Sequence, residues 1–261
     1  MTKCRHLPES ALTYGGIGIA PASAEAKSPY DIPHKLSPKI PKKSPHTLRF
    51  PHDFGLSIVL LSLFLILAAA QTLVGHAALN DDLHQHQQPT LSFSQYLRTG
   101  TCWESLAENW ESEFLEMGAF VWLTSFLFQR GSPESNDPDA PSKHDACKLS
   151  PRSPWPARRG GIPRALYSRS LSLAFLILFL FAFTLHGVTG AAAYNQQQRL
   201  HNDPPLSILQ FMASSTFWFQ SLQNWQSEFL GIAAMVLLSI WLRQKGSPES
   251  KPVNAPHTAH E

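Results

Sequence analysis

Cysteine is scarce in this chain of 261 residues, and the three present, Cys4, Cys102 and Cys147, make neither a C-x-x-C pair nor a metal-ligand spacing. Also missing are a G-x-G-x-x-G loop, a Walker loop, an H-E-x-x-H helix and a G-x-S-x-G elbow. The nucleotide, zinc-protease and hydrolase chemistries that those motifs serve therefore have no anchor here. Charged residues make up only 15% of the chain and nearly cancel, at a net +2, so the one-sided basic surplus of a nucleic-acid binder is absent. Lysine and arginine almost vanish from two stretches, 79–111 and 191–226, where Arg98 and Arg199 are the only ones. These absences predict no catalytic residue, no cofactor and no metal site.

Apolar runs are what the chain does have. The mean hydropathy of −0.14 averages them with polar tails. From Gly55 to about Ala78 no residue is charged. About 20 apolar residues suffice to cross a hydrocarbon core of roughly 30 Å, and a run apolar on every face is not that of a half-buried soluble helix. Transmembrane helices are predicted at about 55–78 and 170–190, and two shorter ones at about 112–128 and 227–243. The shorter pair begin amphipathically. Trp103, Ala107, Trp110 and Phe114 fall at i, i+4, i+7 and i+11, and Trp218, Leu222, Trp225 and Phe229 repeat the stripe. Trp103, Trp110, Trp218 and Trp225 are thus candidate anchors at the headgroup level. After Pro89, Ser92 is predicted to cap a short helix carrying Phe93, Tyr96 and Leu97. Residues 1–50, rich in Pro, Ser and Lys, read as a disordered basic tail. The first apolar run starts too late in the chain to serve a signal peptide. Residues 136–165 read as a linker and 251–261 as a polar tail.

The chain also resembles itself. Asn109-Trp-Glu-Ser-Glu-Phe-Leu115 returns as Asn224-Trp-Gln-Ser-Glu-Phe-Leu230, and Gly-Ser-Pro-Glu-Ser closes both halves at 131–135 and 246–250. Aligning 56–135 with 171–250 needs no gap and makes about two positions in five identical, including Gly75/Gly190, Asn80/Asn195, His86/His201 and Pro89/Pro204. Matches in one register through polar stretches point to a tandem duplication of a two-helix unit, at 51–135 and 166–250. Each unit crosses twice, so the expected fold is an all-α membrane protein of four helices with a pseudo-two-fold axis along the membrane normal. Of the 21 Lys and Arg, all but Arg98 and Arg199 lie in the first tail, the central linker region or the chain end. Positive residues stay on the cytoplasmic side. Both termini and the linker are therefore expected inside, with 79–111 and 191–226 outside an inner membrane. Only Cys102 then faces outward, which excludes an outer intramolecular disulfide. The basic segments can contact anionic lipid.

With these motifs in view, the chain resembles an uncharacterised family of small bacterial integral membrane proteins, a domain of unknown function. The family's N-W-Q-S-E-F-L and L-R-Q-R-G-S-P-E-S-K signatures appear as Asn224–Leu230 and Leu242–Lys251, and less closely as Asn109–Leu115 and Gln129–Ser135. Its Y-N-x-x-Q-x-x-H stretch appears as Tyr194–His201, where the first half departs with Leu79 and Leu83. The resemblance covers about Arg49 to His257, and the stretch before Leu48 lies outside the family's usual extent. It implies location and fold and carries no activity.

Candidate functional residues are polar pairs related by the duplication. Glu113 and Glu228, near the outer ends of their helices, are weighed as ion or proton sites or as groups that cap a helix begun by Asn109 and Asn224. Asn80, Asn195, His86 and His201 are candidates for orienting the outer loops. Gln71 and His186, at equivalent positions, are expected to hydrogen-bond across the pseudo-two-fold. Three functions follow: a non-enzymatic structural or envelope-associated membrane protein, a proton or solute transporter using Glu113 and Glu228, and a haem- or metal-binding redox protein. The first is preferred.

Overall fold

The computed structural model describes residues 53–139 and 149–257. The tail at 1–50, read as disordered, lies outside the described residues, as do part of the linker and the last four residues. Among the described residues every regular element is helical: α1 (Gly55–Gln85), α2 (Phe93–Tyr96), α3 (Gly100–Leu123), α4 (Trp155–Arg159), α5 (Gly161–Ser168), α6 (Ser170–His201), α7 (Ile208–Met212) and α8 (Ser215–Trp241). The chain divides into two compact units at Leu61. The described part of the first is only the opening of α1; the second, from Ser62 onward, holds the rest of α1 and the other described helices.

Two helices, α1 and α6, are long and apolar enough to cross a membrane. With 31 and 32 residues they measure about 45–50 Å at 1.5 Å per residue. They outrun the predicted ends at 78 and 190. Asn80-Asp-Asp-Leu-His-Gln85 and Asn195-Gln-Gln-Gln-Arg-Leu-His201 are polar but contain no breaker, so the helices continue until the approach to Pro89 and Pro204. Gln87 and Asn202, 115 positions apart, then take the left-handed conformation (φ 55° and 60°) that ends a helix.

The short helices α2 and α7 form where Ser92 is expected to cap one. Ser92 accepts from the Gln95 N–H while the Gln95 side chain accepts from the Ser92 N–H, and Ser207 with Gln210 does the same. Each short helix drops one aromatic ring onto a glycine. A Cβ on Gly75 would collide with the Tyr96 hydroxyl, and one on Gly190 would stand 2.6 Å from the Phe211 ring. Asn80 clamps the chain before α2, donating to the Leu91 carbonyl (2.9 Å) and accepting from its N–H (2.7 Å). Asn195 holds Leu206 likewise, at 2.8 and 2.7 Å.

The starts of the two motif-bearing helices differ from expectation. Asn109 and Asn224 do not begin them; Thr99 and Ser214 do, in extended conformation, accepting from the N–H of Cys102 and Phe217. Asn109 lies within α3 and bonds back to the Ser105 carbonyl (2.9 Å). Glu113 and Glu228 are thus inside their helices, away from the positive dipole end. Within 136–165, read as a linker, lie α4 and the start of α5. Their prolines, Pro156 and Pro163, stand in the first turn, where a missing N–H costs nothing.

Packing centres on α3, which runs along α6 and also contacts α8. Gly100 permits the close approach, because a Cβ there would stand 2.6 Å from the Thr189 carbonyl and 2.7 Å from the Ala192 side chain. A small apolar core of Ala191, Phe211 and Phe217, flanked by Phe183, Tyr194 and Met212, joins α6, α7 and α8.

The two Gly-Ser-Pro-Glu-Ser loops share one geometry. Gly131 and Gly246 both have φ +86°. The hydroxyl of Ser135 accepts from the Gln129 N–H (2.7 Å), and that of Ser250 from the Gln244 N–H (2.8 Å). Ser132 and Ser247 accept from the N–H of Glu134 and Glu249. The motif is a closed turn held by its own serines.

Candidate functional site

Three carboxylates at i, i+4 and i+7 of α3, Glu104, Glu108 and Glu111, turn one face of that helix toward α6 and α8. Glu111 is fully buried, with its Oε2 2.7 Å from His186 Nδ1 on α6; neither side chain is more than 1% exposed. Its other oxygen accepts from the Trp225 indole N–H of α8 at 3.0 Å. The Asn224 amide donates to Glu108 Oε1 (2.7 Å) and the Gln220 amide to Glu104 Oε1 (2.8 Å). Each carboxylate therefore meets a neutral or imidazole donor from another helix. The Phe217 ring lies 4.7 Å from the His186 ring, centroid to centroid.

One His186 ring nitrogen and one oxygen from each of Glu104 and Glu108 lie within 4.8 Å of one another. Beside the cluster, a cavity of about 290 Å³ is lined by Glu104, Gln220, Asp82, Gln196 and Gln197 among others. A larger groove of about 1230 Å³ between α3 and the first turns of α6, walled by Phe114, Trp122, Phe126, Leu171 and Phe179, is apolar and away from this chemistry.

The sequence-predicted residues distribute as follows. His186 enters the cluster. Gln71 does not pair with it: its amide reaches the Ser105 carbonyl at 3.2 Å, because the buried carboxylate of Glu111 is the stronger partner for an imidazole. Asn224 and Trp225 join the cluster, so the Trp225 N–H is committed to Glu111. Trp110 packs near Phe64 at 6.4 Å, Trp103 donates to the Leu97 carbonyl (2.9 Å), and Trp218 stacks among Phe183, Phe217 and Trp225. His86 and His201 meet edge to face at 5.4 Å. Glu113 and Glu228 do come together, with Glu116 between them, each offering an oxygen within 4.8 Å of the others. The residues that sequence reasoning passed over are Glu104, Glu108, Glu111 and Gln220. The available signal was the Glu111/Gln226 mismatch in an otherwise shared motif, together with the His186/Gln71 mismatch: the two departures are the pair that meet.

A model of the family described as "Domain of unknown function (DUF6766)" matches residues 47–261. The chain belongs to the DUF6766 family. The DUF6766 match spans all of the described helices and both Gly-Ser-Pro-Glu-Ser loops, and it leaves out the stretch before residue 47, in keeping with the extent of the family resemblance drawn from the motifs. No curated protein matches, and no solved structure does.

Proposed function

We propose that this DUF6766 chain is a multi-pass integral membrane protein with a structural, envelope-associated role, organised around one polar centre at its outer end. The observation that carries the membrane reading is the exposed apolar circumference of α1: its most apolar window is wholly unburied, and that of α6 is nearly so. In water such helices would expose far more contiguous apolar area than a soluble monomer tolerates; in lipid they are at rest. With α3 and α8 as the other two crossings, the protein is a tandem duplication of a two-helix unit. Support comes from residues that face their own counterparts 115 positions away, as they must near a two-fold axis: His86 with His201, Glu113 with Glu228 and Glu134 with Glu249. The paired Asn clamps, glycine seats and serine turns support it too. The concentration of Lys and Arg outside 79–111 and 191–226 supports a cytoplasmic side for the termini and linker. Trp155, under the Arg159 guanidinium at 5.0 Å, and exposed Ile162 and Leu166 fit α4 and α5 to an anionic inner surface.

Alkaline phosphatase fusions test the topology. Activity is expected after residue 88 or 203 and none after 140 or 250; the reverse pattern sinks the orientation. A second reading, proton translocation, is favoured only by the convergence of Glu113, Glu116 and Glu228. Liposome proton flux unchanged in Glu113→Gln/Glu228→Gln would remove it.

A further inference from the structure

We propose that Glu104, Glu108 and His186 bind one divalent transition-metal cation, with Glu111 as the carboxylate that orients the histidine. This rests on the polar centre of the proposed function and names its ligand class.

The first argument is the tautomer. An ionised carboxylate only accepts, so the 2.7 Å contact to Glu111 Oε2 places the proton of a neutral His186 ring on Nδ1. Nε2 then carries a lone pair, and it is buried with no hydrogen-bond partner. A wholly buried acceptor without a donor calls for an explanation. A carboxylate on one ring nitrogen with the other free is the arrangement that presents histidine to a metal.

Geometry and charge agree. Ligand atoms about 2.1 Å from a common ion stand at most about 4.2 Å apart. Donor atoms that already lie within 4.8 Å reach this with sub-ångström movement of the carboxylates. Gln220 and Asn224 steady one oxygen of Glu104 and of Glu108, leaving the other oxygen of each to coordinate. Among the described residues no lysine or arginine forms an ion pair with these three glutamates, so a dication supplies the missing positive charge. The cavity lined by Glu104 and Gln220 provides access. One imidazole and two carboxylates suit Zn²⁺, Mn²⁺ or Fe²⁺ rather than a thiolate-seeking ion, with room for water at the remaining positions.

The test uses full-length protein purified in detergent, stripped with chelator and titrated with Co²⁺ alone, followed by its visible bands and by displacement with Zn²⁺. One equivalent of Co²⁺ is expected. Glu104→Gln and His186→Gln should each weaken binding at least about tenfold, while Glu113→Gln/Glu116→Gln binds as wild type. Glu104 is only partly buried, so the Glu104→Gln protein is checked for wild-type elution and thermal midpoint. No stoichiometric uptake by wild type, or wild-type affinity in a well-folded Glu104→Gln protein, overturns the site and leaves the Glu111–His186 hydrogen bond a structural contact only. The phosphatase fusions are unaffected by either result, so failure of the metal site and failure of the membrane reading are told apart.

Discussion

Both oxygens of Glu111 are committed, one to His186 and one to Trp225, and both side chains of the pair are fully buried. Removing one member of such a pair strands a buried polar or charged group, which typically costs about 3–5 kcal/mol, whereas replacing both members with neutral groups of similar size often costs little. His186→Ala should therefore lower stability by about that amount. Glu111→Gln/His186→Gln, which writes into this site the glutamines found at positions 226 and 71, should recover most of it. Denaturant unfolding in detergent followed by tryptophan fluorescence measures both. A double variant no more stable than His186→Ala would refute the pairwise account.

Among the elements, the seat of α2 on α1 depends on Gly75 lacking a side chain. Gly75→Ala drives a methyl into the Tyr96 hydroxyl and should cost about 1–3 kcal/mol as overpacking. Tyr96→Phe, which removes the colliding oxygen, should restore part of the thermal midpoint. The clamps are testable separately: Asn80→Ala leaves the Leu91 N–H without its acceptor, while the His76 ring still reaches the Leu91 carbonyl at 2.7 Å; the loss is worth about 1–3 kcal/mol and should speed amide exchange at Leu91. Much at this scale was legible in the sequence. The α1 and α6 runs are apolar on every face, and Ser92 sits where a capping box needs it. Their far ends were not legible, because Asn, Asp and Gln stretches serve helix and loop alike until a proline decides. The starts of α3 and α8 were hidden similarly: Ser214 caps as well as an asparagine and Thr99 only somewhat less well, and the tertiary path chooses between them and Asn109 or Asn224.

Over the whole molecule, the closing turns of the two halves meet through Glu134 and Glu249. Burial first, then the hydrogen bond and charge of Glu249, lift the Glu134 carboxyl from its ordinary 4.5 to about 7. A folded value above the unfolded one means that the fold prefers the protonated acid. The associated stability is full below about pH 4.5 and is lost as pH rises through about 7. The thermal midpoint of the wild type should fall over that window, and Glu134→Gln should flatten the fall. An identical pH profile in the variant would exclude Glu134 as its source. The match of residues 56–135 to 171–250 is plain in the sequence, but the polar centre is not. Glu111 and His186 lie 75 positions apart, and scanning for residues shared by the halves passes over those on which they differ. That difference bears on stoichiometry. Two separate copies of one two-helix chain would repeat every residue on both sides of their axis, making two such contacts or none. On the proposed duplication, halves fused in one chain are free to diverge, so each polypeptide carries the Glu111–His186 contact once, and a titration of any ligand held there should saturate at one per chain.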